Sequence, residues 1–320
     1  MYKTIIAQSV YDRIIAAEKA KPTSQQSVLY KVLCQYDKLL INPAENENYT
    51  LHPDKVLKRP SALYILDVPE TVTAKIQSDY GVMCLSGDNP DITPLIDIYD
   101  EHTTNTREPY DRGWHKVLDS IKHIPSNALI LTDRYLFKNT NNWYGNGFSN
   151  FRSILSELLP TQLKTPYHIT VVFFKDGIND SYSFESIAKR LYDIALEFKD
   201  PSDIMVEALC LIDKKGVYHH LHNRRIVSNY YVVKTDYTLA AFDKAVGTSE
   251  QTIIPQVLFT EESLKKQSSP PLMAQQQIIT ALSNFSKSLS YPDMEHDSYL
   301  YAANGMRLDN CQTLRNRLLK

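Results

Sequence analysis

Two segments of the chain carry arginine and asparagine at matching places. The first reads Thr132-Asp133-Arg134-Tyr135-Leu136-Phe137-Lys138-Asn139, and the second His222-Asn223-Arg224-Arg225-Ile226-Val227-Ser228-Asn229. Each has Arg third and Asn eighth around an apolar run, while the first place is Thr in one and His in the other. Phosphodiester transfer without metal needs a nucleophile, a proton donor to the leaving oxygen, and cations over the non-bridging oxygens. Read as strands, residues two apart share a face, so His222 points with Arg224 and Thr132 with Arg134. Two facing arginines grip a phosphate through paired, planar hydrogen bonds. One Arg followed by Asn at this spacing arises about once by chance in such a chain, so the weight lies in the repetition.

His222-x-Arg224-x4-Asn229 resembles the HxKx4D signature of the phospholipase D superfamily, with Arg for Lys and Asn for Asp. Thr132-x-Arg134-x4-Asn139 is similar to the same signature with its histidine lost. The resemblance covers roughly residues 61–290. It implies two repeats facing one phosphate, with Arg134, Arg224, Thr132, Asn139 and Asn229 as the phosphate-binding set. His222 would be the nucleophile if the centre is active. Thr132 is neither acid nor base near neutral pH, and Asn139 and Asn229 lack the carboxylate that tunes the histidine. The resemblance therefore implies a degenerate member that binds a phosphate-bearing ligand (a nucleic acid or a phospholipid head group) or a protein partner, without turnover. Two alternatives stand beside it: an active metal-independent phosphodiesterase or nuclease using His222, and a structural subunit of a bacterial, defence-related assembly.

Neighbouring residues add weaker candidates. His219, His220, His222, Lys214, Lys215, Arg224 and Arg225 make the most basic stretch of the chain. His220 and His222 would share a strand face, but no third ligand lies nearby, so no metal is expected. Trp143, in Trp143-Tyr144-Gly145-Asn146-Gly147-Phe148, would line a pocket mouth or form a turn before a helix. No cofactor is expected: with only 9 glycines in 320 residues, no glycine-rich phosphate loop is present.

The elements that must position these residues alternate. Residues 1–60 read as a helical extension, with Thr23 and Gln26 as a capping box and Val28, Leu29, Val32, Leu33, Tyr36, Leu39 and Leu40 at helical spacing. Strands are predicted at 61–68, 81–85, 128–137, 167–174, 203–212 and within 217–233, and helices at 69–80, 111–122, 148–159, 183–198 and 270–289. This predicts an α/β fold of phospholipase D-like type: two pseudo-repeated β-α-β halves (61–160 and 161–290) forming mixed sheets flanked by helices, then a C-terminal tail (291–320).

Composition bounds the function. A net charge of −2 leaves any polyanion to a local patch rather than to the whole-protein field. Cys34, Cys84, Cys210 and Cys311 lie far apart, without metal or redox spacing. No secretory leader and no run of roughly 20 apolar residues is evident, so a cytoplasmic protein, not integral to a membrane, is expected.

Overall fold

The computed structural model describes residues 3–104, 113–138, 146–178, 182–212, 219–242, 251–266, 269–288, 298–302, 306–307 and 314–319. Its first part is a parallel sheet. Strand β1 (Thr4–Ala7) runs directly into helix α1 (Gln8–Lys19), followed by α2 (Val28–Gln35), β2 (Lys38–Ile41), α3 (Pro43–Leu51), β3 (Leu63–Leu66), α4 (Glu70–Tyr80) and β4 (Cys84–Ser86). The strands lie in the order β2-β1-β3-β4, all parallel. Residues 1–60 are thus not a helical extension, because they supply two of the four strands. The expected capping box at Thr23 is a 3-10 turn, and α2 starts later, where the Ser27 side chain accepts from Tyr30 N at 3.2 Å. Leu39 and Leu40, which continue the helical spacing, belong to the edge strand β2.

Among the described residues, the second sheet has nine strands. After β5 (His102–Thr103) and the short helix α5 (Trp114–Val117) come β6 (Ala128–Thr132), α6 (Asn146–Leu158), β7 (Tyr167–Phe174), α7 (Phe184–Ala195) and β8 (Ile204–Leu211). There follow β9 (Arg225–Ser228), β10 (Tyr231–Thr235), β11 (Thr252–Val257), α8 (Glu261–Lys266), α9 (Pro270–Ser288), β12 (Ser298–Ala302) and β13 (Met306–Arg307). The order is β13-β12-β8-β7-β6-β9-β10-β11-β5. Among the described residues, β6, β7 and β8 pair in parallel and the other strand pairings of this sheet are antiparallel.

Chemistry explains the centre. Strand β7 (YHITVVFF) is buried at seven of its eight positions, the near-continuous apolar run of a strand covered on both faces. Helix α6 packs through Phe151, Ile154, Leu155 and Leu158, and α7 through Ile187, Leu191, Ile194 and Ala195, each set at helical spacing. At about 1.5–3 kcal/mol for each fully buried large apolar side chain, this packing dominates the energetics.

The α/β class is as expected, with mixed strands flanked by helices. The two expected halves are not the units of this fold. Strands β3 and β4 belong to the first sheet and β6 to the second, so residues 61–160 are divided between sheets. The expected tail is also integral. Strand β12 pairs with β8, and residues 314–319 thread against the central strands. There Arg315 N donates to Glu207 Oε1 at 2.7 Å, and Asn316 Nδ2 donates to Leu129 O at 2.8 Å and Thr170 Oγ1 at 3.0 Å.

Polar contacts join the two sheets. Tyr230 Oη accepts from Met83 N at 2.8 Å and donates to Ala62 O at 2.8 Å. Asn229 Nδ2 donates to Pro60 O at 2.8 Å and to Asn127 Oδ1 at 3.1 Å, while its Oδ1 accepts from Asn127 N at 3.1 Å. Among the described residues, no helix is long and apolar enough to cross a membrane.

Candidate functional site

Ligands of open α/β sheets gather outside the carboxyl ends of parallel strands, where the sheet changes direction. Strands β6 and β7 are parallel, and β9 runs antiparallel on the other side of β6, so the start of β9 lies beside their carboxyl ends. The turn 133–138 leaves the end of β6, and the 3-10 turn Lys175–Gly177 leaves the end of β7. The 3-10 turn His219–His222 and residues 223–224 lead into β9 beside them.

The turn after β6 is fixed from within by Asp133. Its Oδ1 accepts from Tyr135 N at 2.8 Å, and its Oδ2 accepts from Thr238 Oγ1 at 2.7 Å and Leu239 N at 2.6 Å. Burial raises the Asp133 carboxyl above the ordinary carboxylate range; these hydrogen bonds and the Arg224 charge oppose that rise. Two glycines hold the turn from outside. A Cβ on Gly177 would lie 1.6 Å from the Arg134 carbonyl oxygen, and one on Gly147 would lie 2.1 Å from that of Leu136. Only a residue without a side chain permits backbone to approach so closely. Phe137 then anchors the turn in the core, with ring centroids 5.0 Å from Phe148 and 5.1 Å from Phe173.

On this platform the cations converge. The Arg134 guanidinium lies 5.7 Å from the centroid of the Tyr135 ring and 5.6 Å from that of Phe174. Arg224 lies 5.8 Å from the same Tyr135 ring, and the Lys138 ammonium 4.7 Å. Each is within range of a cation–π attraction. His222 stands edge-on to Phe174 at 4.6 Å, and its Nδ1 is 3.4 Å from Arg134 Nη1. A guanidinium nitrogen can only donate, so Nδ1 is the accepting nitrogen in this contact.

Arg134 also grips a carboxylate. Its Nε reaches Asp176 Oδ2 at 2.9 Å and Oδ1 at 3.2 Å, and its Nη2 pairs with Oδ2. Arg224 differs, since its Nε is buried and has no hydrogen-bond partner among the described residues. A buried donor left unpaired costs about 1–3 kcal/mol. Arg225 Nε is likewise unpaired there, and burial lowers the pKa of that guanidinium.

Of the residues singled out in the sequence, Arg134 contacts His222, and Arg134 and Arg224 both lie near the Tyr135 ring. Thr132 lies directly behind them, fully buried, its hydroxyl donating to the Asn223 carbonyl. His222 and Arg224 do not share a strand face, because His222 closes a 3-10 turn and Arg224 precedes β9. Asn229 is not part of the site. Five residues of extended chain span about 17 Å, and β9 runs antiparallel to β6, so Asn229 sits at the opposite end of that strand, among Asn127 and Pro60. Asn139 and Trp143 lie outside the described residues, as do Lys214 and Lys215. His220 falls within the 219–222 turn rather than on a strand, so the shared strand face expected for His220 and His222 does not exist.

No protein-family model matches the chain, and no curated protein matches it. Among solved structures it is similar to the crystal structure of Drosophila Piwi, at 10% identity and a TM-score of 0.19. The match covers 99% of this chain and 46% of that one, so the chain spans less than half of that protein's length. A superposition at this level carries no argument about fold or function.

Four contributors escaped the sequence reading. Asp133, Tyr135 and Lys138 lie within the first motif, between its matched places, and the motif assigns them no role. Asp176 lay outside it altogether. A usable signal was present in both cases: each aspartate follows a buried parallel strand within two residues of its carboxyl end.

Proposed function

We propose that the turn region at the ends of β6 and β7 binds a phosphate-bearing ligand without chemically transforming it. One observation carries the reading: Arg134 and Arg224, 90 residues apart in sequence, both lie within 6 Å of the Tyr135 ring centroid. Lys138 and His222 extend the cluster. A net charge of −2 makes this a local attraction rather than a property of the whole surface.

Binding without turnover follows from the same residues. Thr132 stands where a second histidine would be needed, and its hydroxyl is engaged by Asn223. That leaves His222 without a partner to protonate a leaving group. Of the two phosphate sources, a nucleic acid strand fits better, because the half-buried Tyr135 ring lies among the cations. Cations interleaved with aromatic rings are how single strands are held along backbone and base together. The ligand class rests on the cations alone, whereas the absence of turnover is argued against the two-histidine arrangement of the phospholipase D-like resemblance.

The test is binding of labelled single-stranded RNA and DNA, and of vesicles containing phosphatidic acid, by wild type and by the Arg134→Ala, Arg224→Ala double variant. Wild type should bind one of these probes, and the double variant at least about tenfold more weakly. Equal binding by the two proteins would refute the reading. Cleavage that survives chelator and disappears in His222→Ala would replace it with a phosphodiesterase.

A further inference from the structure

The fork of Arg134 is occupied by an anion belonging to the protein itself. Asp176 takes Nε and Nη2 together, and this is the paired geometry in which a guanidinium receives a phosphate. The Asp176 side chain is 53% exposed, whereas that of Arg134 is 26% exposed and lies against two aromatic rings. The arginine is therefore fixed and the carboxylate is the mobile partner, with solvent available to receive it. Its backbone is held as well: Gly177 packs against the Arg134 carbonyl, and a backbone bridge pairs Phe137 with Ile178, so the two turns stay together. Release of Arg134 must come from rotation of the Asp176 side chain.

The geometry points to Asp176 as a built-in competitor that sets the affinity threshold of the site and selects for anions stronger than a single carboxylate. This rests on the phosphate-binding reading. A phosphate that reaches Arg224 and Lys138 at the same time gains contacts Asp176 does not make, since the carboxylate's recorded hydrogen bonds are to Arg134. A monocarboxylate offers no such gain and is refused. The device costs affinity and confers discrimination, because binding is then a difference between two occupants.

Removing the charge tests this directly. An exposed arginine–carboxylate pair, together with repulsion between Asp176 and an incoming phosphate, predicts that Asp176→Asn binds about five- to tenfold more tightly. The probes are a fluorescein-labelled, 5′-phosphorylated single-stranded RNA followed by anisotropy, and vesicles of phosphatidylcholine with phosphatidic acid followed by sedimentation. A gain with either probe that disappears when Arg134→Ala is added supports the competitor role, and the probe showing it identifies the phosphate source. If wild type binds and Asp176→Asn binds equally or more weakly, the competitor role is overturned and Asp176 orients Arg134 instead. If neither protein binds either probe, the phosphate reading falls and this one with it. Asp176→Ser, of different shape, guards against a local folding defect, and thermal melting confirms that each variant is intact.

Discussion

Replacing Asn229 by alanine separates the structure from the sequence motif that first drew attention to it. Asn229 is fully buried and makes three hydrogen bonds, two to Asn127 and one to the Pro60 carbonyl. At about 1 kcal/mol net for each bond, the loss begins near 3 kcal/mol. Asn127 N and Oδ1 would remain buried with fewer partners, raising the loss toward about 5 kcal/mol, while Pro60 O keeps the Tyr230 hydroxyl at 3.2 Å. Urea unfolding should show the midpoint fall with little change in slope, since the surface exposed on unfolding is the same. Phosphate-ligand binding by the folded fraction should be unchanged. Asn229→Asp sharpens the comparison. If Asn229 stood for the signature aspartate of a phosphate centre, the carboxylate would be tolerated or beneficial. In the observed contacts it cannot donate to Pro60 O and brings an uncompensated charge into the core, so it should destabilise more than alanine. A loss under about 1 kcal/mol for alanine, or improved function in the aspartate variant, would refute this placement.

Other expectations concern the platform and the core. Gly177→Ala should destabilise by about 1–3 kcal/mol and weaken ligand binding together, because the new methyl collides with the Arg134 carbonyl; binding that survives unchanged would show the turn to be irrelevant to the cations. Tyr230→Phe should cost about 1–3 kcal/mol in chemical denaturation by leaving Met83 N unpaired in the core. Glu207 is buried and its carboxyl is raised above the ordinary range by that burial, with the Arg315 amide and Thr170 hydroxyl opposing the rise. A raised acid contributes stability that is fully present below its unfolded pKa of about 4.3 and is lost as pH rises through the folded value. Glu207→Gln should therefore melt higher than wild type near neutral pH, with the gain shrinking toward about pH 4. A gain that grows on acidification would contradict the assignment.

Long, strongly patterned elements were legible in the sequence, and the parts decided by context were not. Strand β7 and helices α4, α6 and α9 fall where their apolar spacing puts them, since an eight-residue apolar run or a long amphipathic pattern has few alternatives. Strand β1 is four residues that merge into a helix, and β2 carries Leu39 and Leu40 in phase with the helix before it. Only pairing with β1 decides that β2 is a strand. At the site, the sequence brought out Arg134, His222 and Arg224 through a spacing that occurs twice. It misplaced Asn229 because a fixed spacing says nothing about where β9 ends. It missed Asp176 because the pairing with Arg134 spans 42 residues and depends on β6 and β7 being neighbours.

The segment 314–319 imposes an order on assembly. Glu207, Thr170 and the Leu129 carbonyl, on three adjacent central strands, obtain hydrogen-bond partners from Arg315 and Asn316. Those partners are made more than a hundred residues after the strands they serve. A nascent chain that has completed β6, β7 and β8 still carries an ionisable group and two acceptors facing an unfinished cavity. Maturation of the large sheet must wait for synthesis to pass residue 316.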